Sequence, residues 1–178
     1  MPRELITKNA INHERVTIVN EQNECIGEST RSEMRKQGLC HRAVYVFVFN
    51  PLGQLFVQKR TPTKDVYPGF YDLAAGGVVQ AGEDYEQAAY RELAEEMGIT
   101  GVPLQSYFHF YFQESELRVW GKVYICEYDG PFTLEVDEVE NIVQLWPEDV
   151  LRSPHSLQFT PDSLIALQRL WPKLAIAV

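Results

Sequence analysis

Three glutamates in residues 84–97 could together bind a cation. Glu92, Glu95 and Glu96 stand at i, i+3 and i+4, so on a helix, with about 100° of rotation per residue, they share a sector of roughly 100°. Like charges at this spacing destabilise a helix by a few tenths of a kcal/mol per pair. A hard divalent cation with oxygen ligands would reverse the sign of that effect. The alternative is a solvated acidic face, in which Arg91 partly compensates the charge of Glu95.

The residues around these glutamates favour a catalytic role. Residues 77–99 match the pattern G-x5-E-x7-R-E-U-x-E-E-x-G-U, in which U is an apolar residue, at every defined position. This pattern is the Nudix box, and the sequence therefore resembles the Nudix hydrolases. The defined positions are filled by Gly77, Glu83, Arg91, Glu92, Leu93, Glu95, Glu96, Gly98 and Ile99.

The resemblance implies metal-dependent attack by water on a diphosphate that is joined to another moiety. Glu92, Glu95 and Glu96 match the family's metal-ligand positions. Arg91 matches the arginine that orients a ligand carboxylate, and Glu83 matches an accessory carboxylate of the metal site. Mg²⁺ is the expected ion, with Mn²⁺ as a substitute, because Mg²⁺ takes oxygen ligands and bridges phosphate oxygens.

A second resemblance concerns residues 40–77, which look like the isopentenyl-diphosphate isomerase branch of the Nudix fold. Arg60 and Lys64 match cations that contact diphosphate in those isomerases, so they are the expected substrate-binding residues. Glu114 and Glu116 match a Glu-x-Glu that the isomerases have before a later strand.

Three positions depart from the isomerase pattern. The isomerases need a cysteine at the position of Gly76, and metal-binding histidines at the positions of Val78 and Met34. Hydrolysis needs none of these groups. The sequence therefore predicts a hydrolase that cleaves the diphosphate bond of a nucleoside diphosphate linked to another moiety, or of a related organic diphosphate. A non-catalytic Nudix-fold protein that binds a ligand is the main alternative, and an isomerase is the other.

The general base is expected outside the box, because a carboxylate that coordinates metal is held in its anionic form. Glu114 and Glu116 are expected in the turn between two late strands, where alternation predicts that they share one face with Ser115 opposite, and Glu116 is the preferred catalytic candidate. Glu138, in a predicted acidic loop, is the rival. Two exposed carboxylates without a catalytic role are the other interpretation of Glu114 and Glu116.

Hydrophobic patterning predicts the elements that must position these residues. Mostly antiparallel strands combined with helices indicate an α+β fold, which the resemblance specifies as a Nudix α/β/α sandwich with a mixed sheet. Residues 70–75 are expected to form a short strand that runs into the box. The other expected elements are strands at 43–49, 55–59, 106–112, 117–127 and 142–145, a helix at 84–97 ended by Gly98, and helices that begin at Pro147 and Pro161.

Two segments are predicted along the chain. Residues 1–38 are expected to be an N-terminal extension with a hairpin and a short helix, and residues 39–178 to be the Nudix hydrolase domain with a C-terminal helix. The extension could cover a sheet edge or exchange between subunits, so the sequence leaves a homodimer open.

Composition limits the partners of the chain. Its 178 residues suit one domain, and its net charge of −9 argues against binding a nucleic acid polymer. The longest apolar run, residues 43–49, is shorter than the 18 or so residues of a membrane-spanning helix. Three cysteines without metal-like spacing indicate a reducing compartment, and no secretory signal is visible. We therefore expect a cytoplasmic enzyme with a small-molecule diphosphate substrate.

Overall fold

The computed structural model describes residues 10–175. The elements in chain order are β1 (Arg15–Val19), β2 (Cys25–Thr30), α1 (Arg31–Gln37), β3 (His41–Phe49), β4 (Leu55–Arg60), β5 (Tyr71–Asp72), α2 (Tyr85–Met97), β6 (Gln105–Glu114), β7 (Leu117–Glu127), β8 (Val139–Leu145), α3 (Pro147–Arg152) and α4 (Pro161–Ala175).

Strand β3 organises the sheet, because its two sides have different neighbours. Along one side it pairs in parallel with β7 over its whole length, from His41↔Val119 to Phe49↔Glu127. On the other side β1 and β4 meet it at one pair each, and β4 then pairs with β8 and β5. The predicted antiparallel pairing of β4 with β3 is therefore confirmed only next to the turn that joins them, and the two strands separate beyond it.

The gap between β3 and β4 accommodates the segment that leads into the box. Single bridges join Val46 to Ala75 and Ala43 to Val78. The predicted strand at residues 70–75 is wrong in length, since only Tyr71–Asp72 forms a ladder, with β4. After Asp72 the chain leaves β4 and crosses to β3, so a continuous ladder with one partner cannot form.

The sheet is covered by helices on both faces, which confirms the predicted α+β sandwich. Alternate residues of β3 point to opposite faces. Val44 and Val46 pack in one buried cluster with Leu93 of α2. Tyr45 and Phe47 belong to a second cluster, which contains Leu167 and Leu170 of α4.

Local signals fix the ends of helix α2, as the sequence predicts. Asp84 is the N-cap, and its side chain and that of Gln87 form a reciprocal capping box. Gly98 ends the helix with φ +69°, a conformation that glycine adopts without steric cost. The glutamates of the box are therefore held on one defined helix.

The N-terminal hairpin and helix α1 are packed onto the sheet rather than separated from it. β1 pairs with β2, as predicted, and with β3 at Ile18↔His41. Met34 of α1 is 1% exposed and packs with Val16, Ile18 and Val78. Among residues 10–175, none of the helices combines the length and apolar character needed to cross a bilayer.

The packing of Met34 predicts that α1 and the sheet unfold together. Met34→Ala should lower the free energy of unfolding by about 2–5 kcal/mol, because it leaves a cavity in a fully buried cluster. Denaturant unfolding monitored by fluorescence should show one transition in both proteins. Lys36→Ala, at an exposed position of the same helix, is the control and should change stability by less than about 0.5 kcal/mol. A Met34→Ala protein as stable as the wild type would contradict the shared core.

Candidate active site

A cavity of about 530 Å³ lies against helix α2. All three glutamates of the expected metal site line it, as do groups of both charges from other parts of the chain. A concave site of this size with a few convergent charged groups is typical of small-molecule binding. Charged residues from outside α2 that line the cavity include Arg31, Arg35, Arg60, Lys64, Asp72 and Glu138.

Helix α2 turns one face to the core and the neighbouring face to this cavity. Leu93 and Met97 are completely buried, and Glu92 and Glu96 retain only 9% and 6% of their exposure. The side chain of Glu95 is 56% exposed. The three carboxylates reach the same cavity, but two are nearly buried and one is open to solvent.

The carboxylate of Glu96 is held by two neutral donors. Nε2 of Gln58 donates to Oε2 of Glu96 at 3.2 Å, and the backbone N–H of Gly76 donates to the same oxygen at 3.1 Å. Burial raises the pKa of Glu96 well above its usual range, and the neighbouring Glu92 carboxylate raises it further. The site thus orients a buried carboxylate without neutralising it.

The carboxylate of Glu92 lies directly against Gly77, the first residue of the box. A Cβ atom on Gly77 would stand 2.5 Å from Oε1 of Glu92, so any other residue at position 77 would require the glutamate side chain to shift. Nη1 of Arg91 donates to the same oxygen at 2.7 Å. Burial nevertheless raises the pKa of Glu92 to about 7, against the opposing effect of Arg91.

Arg91 holds four groups of the box together. Its Nε and Nη2 donate to the two oxygens of Glu83 at 2.7 and 3.0 Å, which is a bidentate ion pair. Nη1 bonds Glu92 and, at 3.2 Å, Glu95, and Nη2 also reaches the backbone oxygen of Val78 at 3.1 Å. These contacts suit the orienting role that the resemblance implies for Arg91, and they connect Glu83 to the other carboxylates.

The carboxylate oxygens of Glu92, Glu95 and Glu96 are ligands that suit a hard divalent cation. The positively charged groups around them do not balance their negative charge. Within residues 10–175, no three acidic, histidine or cysteine side chains already converge as metal ligands do. The contacts of Arg91 give the reason, since one guanidinium nitrogen lies between Glu92 and Glu95. Rotation of these side chains has to accompany metal binding.

The two cations expected to contact substrate both line the cavity, and both have acidic partners. Nη1 of Arg60 donates to Asp72 at 3.1 Å, and Nη2 donates to the backbone oxygen of Val66 at 2.8 Å. Lys64 donates to the carboxylate of Glu138. Burial raises the pKa of Asp72 to about 6, although Arg60 opposes this effect.

The two candidate bases lie in different surroundings. Glu138 lines the cavity and Glu116 does not. Glu116 is an exposed turn residue between β6 and β7, and its backbone oxygen lies 2.9 Å from where a Cβ atom on Gly38 would be. The expected strand alternation over Glu114 and Glu116 is wrong, because Ser115 has φ +53° and the strand ends at Glu114.

Several residues of the site are absent from the sequence-based prediction, namely Gln58, which donates to Glu96, and three residues of the cavity wall. Gln58 could have been noticed, because it is a polar residue in a strand whose preceding three residues are apolar. Asp72, Arg31 and Arg35 give no comparable signal, since their positions depend on how distant segments pack.

The comparisons with known proteins agree with this geometry. A family model described as the NUDIX domain matches residues 40–168. An uncharacterized Nudix hydrolase of Escherichia coli, YfcD, is 48% identical over 89% of this chain and 86% of its own length. An uncharacterized Nudix hydrolase of Pseudomonas aeruginosa is 43% identical over 87% of this chain and 92% of its own length. The crystal structure of DR0079 from Deinococcus radiodurans has a TM-score of 0.77 and 28% identity, covering 88% of this chain and 98% of that one.

The raised pKa values of Glu92 and Glu96 predict the pH dependence of the metal-free protein. A carboxyl group with a raised pKa binds its proton more tightly in the folded state. Its contribution to the free energy of unfolding therefore falls as pH rises from the ordinary value of 4.5 to the folded value, about 7 for Glu92. In EDTA, Glu96→Gln should match the wild type near pH 5 and exceed its Tm by at least about 2 °C at pH 8.

The difference in Tm between variant and wild type is the measured quantity, because other groups also titrate. Burial lowers the pKa of His41 to about 3. The contribution of His41 to the free energy of unfolding therefore falls as pH falls, which is opposite to the effect of Glu92 and Glu96. Glu95→Gln, at the exposed position, is the control and should show a small, pH-independent difference. A lower Tm of Glu96→Gln at pH 8 would mean that this charge does not destabilise the fold.

Proposed function

The chain belongs to the Nudix hydrolase family, and from this premise we propose that it hydrolyses the diphosphate bond of a nucleoside diphosphate linked to another moiety, or of a related organic diphosphate. The observation that supports this proposal most is the pair of nearly buried carboxylates, Glu92 and Glu96, on the wall of a cavity that also contains Arg60 and Lys64. Such an arrangement favours binding a cation and an anion side by side.

Nudix hydrolases generally use divalent cations, and we propose Mg²⁺ for this enzyme, with Mn²⁺ as a substitute. Glu92, Glu95 and Glu96 would hold the ion, which supplies charge stabilisation for the leaving phosphate and polarises the attacking water. Glu83 contributes through Arg91, with which it forms a bidentate pair. Arg91 orients Glu92 and keeps it directed toward the cavity.

We propose that Arg60 and Lys64 bind the phosphates of the substrate. Both face the cavity, and both are only 16% and 11% exposed, so a phosphate would meet them in partly desolvated surroundings, where charge-assisted hydrogen bonds are strong. Binding requires Lys64 to exchange Glu138 for a phosphate oxygen. That exchange would release the Glu138 carboxylate next to the attacking water.

We assign the proton acceptor to Glu138 rather than to Glu116. A general base must come within hydrogen-bond reach of the water, directly or through one other water. Glu138 lines the cavity that contains the α2 glutamates, and its carboxylate influences the pKa values of both Glu92 and Glu96. The exposed position of Glu116 at a hairpin turn gives no comparable support.

The isomerase alternative meets a steric obstacle at position 76. A Cβ atom there would stand 1.8 Å from the backbone oxygen of Val44, so this backbone has no room for the cysteine that isomerisation requires.

A cytoplasmic location remains our proposal, and it is supported by the unpaired cysteines Cys25, Cys40 and Cys126.

The test of the proposed function is a screen for metal-dependent hydrolysis. Purified protein with Mg²⁺ or Mn²⁺ should release phosphate-containing products from at least one member of a panel of nucleotide sugars, dinucleotides, coenzyme A, NADH and prenyl diphosphates. Isopentenyl diphosphate should not be converted to its isomer in an NMR assay. Isomerisation at an appreciable rate would contradict the hydrolase proposal.

The assignment of the metal ligands predicts which glutamates of α2 are needed. Glu95→Gln and Glu96→Gln should each lower kcat by about 10²-fold or more with the fold intact, since loss of one electrostatic contact to the transition state typically costs that much. Glu83→Gln should cost less. Glu86→Gln, at an exposed position of the same helix, is the control. Near wild-type kcat in both of the first two variants would refute the assignment.

The assignment of the base predicts a change in the pH–rate profile. Glu138→Gln should lower kcat strongly, because the amide cannot take a proton, and it should not raise KM, because the amide competes less with a phosphate for Lys64 than the carboxylate does. The acid limb of the profile should flatten at the same time. Glu116→Gln should keep the wild-type profile. A wild-type profile in Glu138→Gln together with a flattened acid limb in Glu116→Gln would instead assign the general base to Glu116 in the β6–β7 turn.

A further inference from the structure

The N-terminal segment contributes two guanidinium groups to the cavity. Arg31 and Arg35 stand one turn apart on α1, and both line the cavity that contains the α2 glutamates. Their side chains are only 16% and 25% exposed. Both positions precede residues 40–168, which match the family model, so the family resemblance assigns them no role.

In the part of the chain that the structure describes, the acidic groups beside these arginines accept a hydrogen bond from only one guanidinium nitrogen. Nε of Arg35 donates to Asp65 at 3.3 Å, but Nε of Arg31 is 3.9 Å from the same oxygen, beyond hydrogen-bond distance. Nη1 of Arg31 is 3.6 Å from Glu14, whose carboxylate also accepts a hydrogen bond from Gln80. Within residues 10–175, the buried Nε of Arg31 has no hydrogen-bond partner.

A buried donor without a partner is costly, and an arginine offers five N–H groups. If the two arginines served only to attach α1 to the sheet, we would expect carboxylates to accept hydrogen bonds from most of their N–H groups. Within residues 10–175, only the carboxylate of Asp65 lies within hydrogen-bond distance of either guanidinium. Arg60 adds a third cation nearby, since burial together with repulsion by Arg31 and Arg60 lowers the pKa of Arg35 even though Asp65 opposes this effect. Among the described residues, Arg31 and Arg35 therefore have more N–H donors than carboxylate acceptors within hydrogen-bond distance.

His41, which lines the same part of the cavity, does not add to the positive charge. Its Nδ1 lies 3.2 Å from the backbone oxygen of Leu39, and a carbonyl only accepts, so Nδ1 holds the proton. Burial and the two arginines lower its pKa to about 3. The neutral ring therefore adds no positive charge beside Arg31 and Arg35.

We propose that Arg31 and Arg35 bind a phosphate group of the substrate other than the diphosphate that is cleaved. The proposal rests on the proposed hydrolase function and narrows its substrate class to diphosphates that contain a further phosphate monoester. Guanidinium groups match phosphate oxygens with paired N–H donors. Arg31 and Arg35 line the same cavity as Arg60, Lys64 and the α2 glutamates, so a single ligand could contact the proposed metal site, the diphosphate-binding cations and the two arginines.

The first test measures anion binding without catalysis. Metal-free protein in EDTA is titrated with inorganic phosphate and followed by NMR of the arginine Nε–H signals, with the Arg31 signal assigned by its absence in Arg31→Gln. The Arg31 signal should shift in the wild type. Arg31→Gln and Arg35→Gln should each weaken phosphate binding by about tenfold or more. Arg15→Gln, at an exposed arginine of the same segment, is the control and should bind as the wild type does.

A further variant separates binding from attachment of the helix. Asp65→Asn removes the carboxylate that competes for Arg35, so it should tighten phosphate binding, whereas a purely structural pair would give no such gain. If Arg35→Gln fails to fold, the double variant Arg35→Gln/Asp65→Asn leaves no unpaired charge and takes its place. Equal phosphate affinity in the wild type and both arginine variants would overturn the proposal.

The second test compares substrates that differ by one phosphate. The pairs are NADPH with NADH and coenzyme A with dephospho-coenzyme A, each in the presence of Mg²⁺. In a pair that is cleaved, kcat/KM should favour the phosphate-bearing member by about tenfold or more in the wild type and in Arg15→Gln, chiefly through KM. The ratio should fall to about one in Arg31→Gln and Arg35→Gln.

The outcomes of the two tests separate the two proposals. Equal losses for both members of a pair would show that the arginines contact the shared part of the substrate, and a preference for the member without the phosphate would likewise overturn the inference. If no diphosphate in any panel is hydrolysed, the proposed function fails, while the phosphate titration still decides whether Arg31 and Arg35 bind an anion.

Discussion

The burial of Glu92 and Glu96 on one helix is the constraint on which the rest of the site depends. A buried carboxylate is costly unless it is paired or hydrogen-bonded, and two of them one turn apart also repel each other. The surrounding chain meets this cost with the N–H of Gly76, the amide of Gln58 and the guanidinium of Arg91. Since only one of these groups is charged, the site keeps a deficit of positive charge that a cation can fill.

The same constraint explains why the chain needs glycines between β5 and α2. The segment must run beside β3, where Gly76 lies against the backbone of Val44, and must also leave space for Glu92 above Gly77. A side chain at position 76 would clash with the backbone of β3, and a side chain at position 77 would displace the end of the Glu92 side chain. The sequence from Gly76 into the box therefore encodes a close approach to β3 as well as a set of ligands.

The parts of the structure that local sequence determines could be predicted, and the parts that depend on packing could not. The end at Gly98 and the apolar face with Leu93 predicted α2 and the shared sector of its glutamates in advance. The strand at residues 70–75 and the shared face of Glu114 and Glu116 were mispredicted, because a crossing segment and a left-handed turn residue interrupt the simple alternation. The contributions of α1 to the cavity depend on how the N-terminal segment docks onto β3, which no local pattern specifies.

The cations of the cavity are matched with acids, and this pairing bears on selectivity. Arg60 contacts Asp72, Lys64 contacts Glu138, and Arg35 contacts Asp65, so an anion must compete with a resident carboxylate at each position. In a chain with a net charge of −9, a single phosphate should bind only weakly against such competition. A ligand with several phosphates and a bound metal ion would displace several carboxylates at once and would neutralise those of α2. We therefore expect recognition of the proposed substrate to depend on the number and spacing of its negative charges.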